Sequence, residues 1–193
     1  MNDILFSNIP NLLSLSRLPL GVALFACIAH GARLAGLIIF GVAAFTDWLD
    51  GWWSRRFQCG TAIGRNLDPL TDKVLIGGAF IFLIPVPGLG IEPWIVTVII
   101  GRELLITGLR GIVEATGKTF GADWFGKLKT VLQFAVLFAA LGLKAIEQAN
   151  PDHRDLVYLQ SGFEFSLLPM IVATVGSAVQ YGVKAVRLLR VQL

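Results

Sequence analysis

The sequence is poor in charge and in residues that bind transition metals or form cross-links. Only 15% of its 193 residues are charged, and it has two histidines and two cysteines. Without a set of histidines or cysteines, a zinc site is not predicted. Cys27 lies in an apolar segment and Cys59 in a loop, so no structural disulfide is expected. The basic residues are dispersed and form no stripe interleaved with aromatic residues, which argues against nucleic-acid binding.

Apolar residues make up most of the chain instead. The hydrophobic fraction is 55% and the mean hydropathy is +0.72. Residues 74–91 and 165–183 contain no charged side chain, and each is long enough to cross a bilayer, which takes about 18 apolar residues or more. No basic residue precedes Arg17, and no removable signal peptide is predicted. The sequence therefore predicts an integral membrane protein that forms one domain over residues 1–193.

Hydrophobic patterning predicts an all-α fold of six transmembrane helices, at about residues 10–30, 33–55, 69–86, 92–115, 124–146 and 163–187. Residues 2–9 are expected to form an interfacial lead-in, with Pro10 and Pro69 near helix starts. Lysine and arginine concentrate in the connections on one side. The positive-inside rule then places that side and both termini in the cytoplasm, in a protein of the inner (cytoplasmic) membrane.

Four aspartates, Asp47, Asp50, Asp68 and Asp72, flank the junction between the second and third predicted helices, on the basic side. Spacings of three and four residues place each pair on one helix face. Carboxylates are costly at membrane depth unless they are paired, solvated or bound to a cation. Four clustered carboxylates would also repel one another without a counter-ion. Their oxygen atoms suit Mg²⁺ or Mn²⁺, and together they could hold two such ions around a phosphoryl group.

The residues around these aspartates carry a family resemblance. Their pattern is similar to the signature of the CDP-alcohol phosphotransferase family, and it reads Asp47-x2-Asp50-Gly51-x2-Ser54-Arg55-x8-Gly64-x3-Asp68-x3-Asp72. The one departure is Ser54, where the family usually has alanine. The resemblance implies a six-helix membrane fold. It also implies an enzyme that transfers a phosphatidyl or related group from a CDP-linked donor to an alcohol and releases CMP.

Roles for individual residues follow from the same resemblance. The four aspartates correspond to the ligands of two divalent cations, Mg²⁺ or Mn²⁺, and Asp72 also corresponds to the base that accepts the proton of the alcohol. The positions that correspond to contacts with CDP-diacylglycerol are Asn11, Ser14, Gly51, Arg55 and Thr61. Ser14 replaces the family's usual threonine in a first-helix segment that continues to Arg17. The family resemblance further implies a homodimer.

A second group of basic residues bears on the acceptor alcohol. Arg102 and Arg110 lie on the fourth predicted helix, and Lys127 and Lys129 lie at the start of the fifth. Cations near the carboxylates would suit an acceptor that carries its own phosphate, whereas ordinary cytoplasmic positive charge is the simpler explanation. The Arg-Glu and Gly-Lys-x-Lys-Thr segments resemble those of the bacterial phosphatidylglycerophosphate synthase branch of the family. That resemblance implies sn-glycerol 3-phosphate as acceptor, bound by Arg110, Lys127 and Lys129.

Two other functions stay open on the sequence alone. Cardiolipin synthases of the CDP-dependent type share parts of these segments and use phosphatidylglycerol, and other family members use other acceptors. A small cation transporter with a carboxylate site is the non-enzyme alternative. It would need polar groups along a path through the bilayer. The acidic residues gather at one face instead, and residues 165–183 carry no charge.

Overall fold

The computed structural model describes the backbone of residues 2–57, 62–118, 120–121, 123–152 and 154–190, and the side chains of residues 15–53, 56, 70–118, 120–121, 123–152 and 154–189. Over this part of the chain the protein is entirely helical, without strands. The helices are α1 (Asn2–Ala29), α2 (Arg33–Phe57), α3 (Ala62–Leu83), α4 (Pro93–Ala115), α5 (Trp124–Ala149) and α6 (Leu156–Arg190).

The predicted helix count is confirmed, whereas three predicted starts are wrong. α6 begins at Leu156, seven residues before the predicted start at residue 163. α1 is continuous from Asn2, so the expected lead-in at residues 2–9 is part of the helix and Pro10 lies inside it. α3 begins at Ala62, which places Pro69 inside that helix as well. Neighbouring helices can compensate for the backbone hydrogen bond that a proline removes, so proline is a weaker stop signal in such bundles than in isolated helices.

Three stretches in the described part of the chain have the length and composition of membrane spans: Arg33–Trp53, Trp124–Ala149 and Leu156–Leu189. A shorter apolar stretch, Leu15–Ala29, belongs to α1. Many large apolar side chains also point outward, among them Phe165 at 78% exposure. An exterior of this kind is rare in soluble monomers and suits contact with lipid. The protein is therefore a helical membrane protein.

The interior is formed by two apolar clusters. α1 packs against α2 and α3, α5 packs against α2 and α6, and α4 packs mainly against α6. The larger cluster includes Phe40, which contacts the rings of Phe134 and Phe138. The smaller cluster joins Ile106 and Val113 of α4 to Tyr181 of α6. These contacts fix the relative positions of the helix ends that carry the polar residues.

The connections define two ends of the bundle. At the first end, the backbone N–H of Arg33 donates to Oε1 of Gln148 at 3.3 Å, which joins the α1–α2 turn to the end of α5. At the second end, Lys184 of α6 donates to the carbonyl oxygen of Gly121 at 3.2 Å. The aspartates on α2 and α3 lie at this second end, together with the α4–α5 connection.

Gly88, in the α3–α4 connection, provides a test of the packing at the first end. Its φ is +74°, and an added Cβ would lie 3.0 Å from Nζ of Lys144, a side chain that is 8% exposed and pairs with Glu147 at 2.5 Å. Gly31 has the same φ, but no described atom lies within 4 Å of its Cβ position. A side chain at this φ costs ~1–2 kcal/mol. We expect Gly88→Ala to lower the thermal unfolding midpoint in detergent more than Gly31→Ala. Equal losses would mean that crowding against Lys144 contributes nothing.

Candidate functional site

A buried arginine lies among carboxylates at the second end of the bundle. Arg17 of α1 is 1% exposed. Its Nη1 pairs with Oδ1 of Asp47 at 2.9 Å and also with Oδ1 of Asp72, while its Nη2 pairs with Oδ2 of Asp50 at 2.9 Å. A buried charge is stable only when it is paired and hydrogen-bonded. Arg17 thus supplies the counter-charge for three of the four predicted metal ligands.

The packing of α1 explains why one side chain reaches all three carboxylates. Asp47 and Asp50 are three residues apart on α2 and share a face, and Asp72 lies on α3. Because α1 packs against both helices, Arg17 lies between them. The carboxylates differ in exposure: the side chain of Asp50 is 6% exposed, whereas those of Asp47 and Asp72 are 40% and 36% exposed. Asp47 and Asp72 are therefore the two that a ligand can approach.

The three carboxylates have the oxygen donors that a divalent cation of the Mg²⁺ type would need. Carboxylate oxygens are the ligands such ions prefer, and these three already converge on one cationic group. Among the described side chains, no group of three or more Asp, Glu, His or Cys is arranged as a metal-binding set. The side chain of the fourth predicted ligand, Asp68, lies outside the described residues. The two-cation site therefore stays a prediction.

The predicted donor-binding residues fall mostly outside the described side chains. Gly51 lies in α2 directly after Asp50. The side chains of the other four, Asn11, Ser14, Arg55 and Thr61, lie outside the described residues. The family resemblance places Arg17 only at the end of the first-helix segment, and its contact with the aspartates is not predicted from the sequence. The available signal was the position of Arg17 itself, since an arginine inside an apolar helix requires a partner.

A cavity of about 520 Å³ opens beside the aspartates, between α1, α2, α3, α4 and α5. Its volume is within the range of small-molecule sites. Asp47 and Asp72 both line it. The other polar side chains in its lining are Lys73, Glu103, Lys129, Thr130 and Gln133, and much of the remainder is apolar. The two approachable carboxylates thus line the same cavity as two lysines.

Glu103 is the shared partner of two basic residues, Arg102 and Lys129, which with Lys73 form the basic side of this site. It accepts a hydrogen bond from Nη1 of Arg102 at 3.1 Å and another from Lys129 of α5. Nε of Arg102 in turn donates to the hydroxyl of Ser177 on α6 at 3.0 Å. Lys73 donates to the hydroxyl of Thr107 on α4. One carboxylate thus faces three cations, which leaves the basic side with positive charge in a fixed arrangement.

The three residues predicted to bind the acceptor differ in burial and in their position relative to the cavity. Lys129 is buried and lines the cavity. Lys127 is exposed, and neither it nor Arg110 contributes to the lining, although Arg110 is near enough to Lys73 for a charge interaction. Lys73 and Gln133 also line the cavity, although neither is among the site residues predicted from the sequence. Signals for both were present, because Lys73 directly follows Asp72 and Gln133 lies one helical turn beyond Lys129.

The chain matches the CDP-alcohol phosphatidyltransferase family over residues 7–180, a range that contains every carboxylate and lysine of this site. It therefore belongs to the CDP-alcohol phosphatidyltransferase family. It is 35% identical over 188 residues to the probable phosphatidylglycerophosphate synthase of Mycobacterium tuberculosis, covering 94% of this chain and 83% of that protein.

Two other relatives carry the name CDP-diacylglycerol–glycerol-3-phosphate 3-phosphatidyltransferase. The Escherichia coli K12 protein is 37% identical over 139 residues, which is 67% of this chain and 74% of that protein. The Bacillus subtilis protein is 42% identical over 111 residues, which is 57% of this chain and 56% of that protein. The match thus covers little more than half the length of the B. subtilis relative.

Replacement of Arg17 tests its role as counter-charge. Arg17→Gln leaves three carboxylates without their shared cation, and breaking a buried ion pair typically costs about 3–5 kcal/mol. We expect a lower thermal midpoint in EDTA and a larger recovery on addition of Mn²⁺ than in the wild type. Arg33→Gln, which removes a guanidinium bonded to the carbonyl oxygen of Ile28, is the matched control. If Arg17→Gln has the same thermal midpoint in EDTA as the wild type, Arg17 is not the counter-charge of these carboxylates.

Proposed function

We propose that this protein transfers the phosphatidyl group of CDP-diacylglycerol to sn-glycerol 3-phosphate, which gives phosphatidylglycerophosphate and CMP in phospholipid biosynthesis. The observation that carries the proposal is that one cavity is lined by two carboxylates, Asp47 and Asp72, and by two lysines, Lys73 and Lys129. An alcohol that bears a phosphate needs both a base for its hydroxyl and cations for its phosphate. The relatives that carry the name of this activity support the same reaction.

Asp72 is the base in this proposal. Its carboxylate is accessible from the cavity and is held by Arg17, so its orientation is fixed before substrate arrives. It accepts the proton of the primary hydroxyl of glycerol 3-phosphate. The hydroxyl oxygen then bonds to the phosphorus that carries the diacylglycerol, and the bond from that phosphorus to the CMP oxygen breaks.

The remaining roles in the proposal divide between donor and acceptor. Divalent cations, Mg²⁺ or Mn²⁺, when bound by the four aspartates supply positive charge that stabilises the diphosphate and the departing CMP. Asn11, Ser14, Gly51, Arg55 and Thr61 are the proposed contacts of the donor, by their match to the family's motif. Lys73 and Lys129 bind the acceptor phosphate, and Arg110 and Lys127 complete the proposed set of acceptor-binding residues.

An acceptor screen tests the proposal. Purified protein with labelled CDP-diacylglycerol and Mg²⁺ should release CMP with glycerol 3-phosphate, and much less with phosphatidylglycerol, serine or inositol phosphate. EDTA should stop the reaction. Asp72→Asn, which keeps the size of the side chain but removes the basic carboxylate, should reduce turnover by about a hundredfold or more.

Other outcomes of the screen would favour other functions. CMP release with phosphatidylglycerol alone would indicate cardiolipin synthesis. Cation flux across vesicles without CMP release would indicate a carrier. Full turnover in excess EDTA would contradict the proposed divalent cations.

We also propose that all six helices cross the cytoplasmic membrane, with both termini and the aspartates on the cytoplasmic side, and that the protein is a homodimer like the family it belongs to. The distribution of charge supports the orientation. Lys118, Lys184 and Arg187 lie near the end of the bundle that carries the site, whereas Arg33 and Lys144 lie near the other end. Substrate from the cytosol would then reach the cavity directly.

Cysteine labelling tests the orientation. In a background that carries Cys27→Ala and Cys59→Ala, Asp152→Cys adds a thiol at the exposed α5–α6 connection, and Ala115→Cys adds one at the exposed end of α4. An impermeant maleimide should label intact cells or spheroplasts at position 152 only, and should label position 115 after permeabilisation. Labelling of position 115 from outside would reverse the proposed orientation.

A further inference from the structure

Gln133 of α5 is a buried amide in the lining of the cavity. Its side chain is 0% exposed, and its Oε1 accepts a hydrogen bond from Nζ of Lys129 at 3.2 Å. A lysine ammonium can only donate, so the atom that faces Lys129 must be the amide oxygen. This fixes the orientation of the amide, which X-ray density alone often leaves ambiguous. The NH₂ group therefore lies on the side away from Lys129.

That NH₂ group has no hydrogen-bond partner in the described part of the chain. Buried polar groups are nearly always hydrogen-bonded, and a buried donor that lacks a partner costs about 1–3 kcal/mol. The neighbouring contacts hold the side chain in place, because Lys129 is itself paired with Glu103. Because Gln133 contributes to the lining of a substrate-sized cavity, a bound ligand is the group that we expect to supply the missing oxygen.

The proposed roles of the residues near Gln133 indicate which oxygen atom of the acceptor this is. If Asp72 receives the proton of the attacking hydroxyl, and Lys73 and Lys129 bind the phosphate, the acceptor lies along the cavity between these groups. Glycerol 3-phosphate then has one polar group left, the secondary hydroxyl on its middle carbon. Gln133 lies one helical turn from Lys129 and lines the same space.

We propose that Nε2 of Gln133 donates a hydrogen bond to this secondary hydroxyl and thereby selects acceptors that carry a hydroxyl beside the attacking one. The inference rests on the proposed function and adds a determinant of specificity to it. A site built to bond a substrate hydroxyl rejects the analogue without it, since its own polar group then stays unpaired. Gln133 thus distinguishes glycerol 3-phosphate from a simple hydroxyalkyl phosphate.

The test compares two acceptors, sn-glycerol 3-phosphate and 3-hydroxypropyl phosphate, which has a CH₂ group in place of the secondary alcohol. Wild-type protein should prefer glycerol 3-phosphate by about tenfold or more in kcat/KM. Gln133→Leu and the unbranched Gln133→Met should bring this ratio close to one, mainly through loss of activity on glycerol 3-phosphate. Lys73→Ala, which removes a phosphate contact, should lower kcat/KM for both acceptors and leave the ratio unchanged.

Three results would overturn the inference. A wild-type ratio near one would mean that no group reads the secondary hydroxyl. Equal losses on both acceptors in Gln133→Met, with a thermal midpoint like that of the wild type, would assign Gln133 to the phosphate or to packing. Both results leave the proposed function intact if the wild type turns over glycerol 3-phosphate. Turnover of a different acceptor alone would overturn the proposed function and this inference together.

Discussion

The contact of Arg17 with three carboxylates is the interaction on which the acidic end of the bundle depends. Carboxylates from two helices cannot remain close together inside an apolar bundle without a cation between them. Arg17 provides that cation from a third helix, and it therefore ties α1, α2 and α3 together at the site. Any divalent ion that binds these oxygens must share them with the guanidinium or displace it.

The basic half of the cavity is organised by the opposite arrangement, in which one carboxylate is surrounded by cations. Glu103 fixes Arg102 and Lys129, and Arg102 reaches α6 through Ser177. An acidic cluster with a central cation therefore lies beside a basic cluster with a central carboxylate, and residues of both line one cavity.

The sequence was sufficient to predict the helical membrane fold, the six helices and the family, because apolar periodicity and the aspartate spacing are local features of the chain. The predicted starts of α1, α3 and α6 are wrong. For α1 and α3 the reason is that Pro10 and Pro69 resemble helix boundaries although the bundle accommodates them. The sequence marks Arg17 and Gln133 as polar residues that need partners, but it does not identify those partners, because the contacts join helices distant in sequence. Lys127 and Lys129 illustrate the same limit: two residues apart on α5, one is exposed and the other buried.

The mixed lining of the cavity allows a lipid-soluble reactant and a water-soluble reactant to bind in the same place. Its lining combines apolar side chains such as Ile81, Ile99 and Phe25 with lysines and carboxylates. A hydrocarbon chain can therefore enter this cavity without passing through water, and a hydrated anion can enter it without passing through lipid. The cavity thus lies where lipid meets water. The lipid reaches it by diffusion within the membrane, and the anion reaches it by diffusion through water.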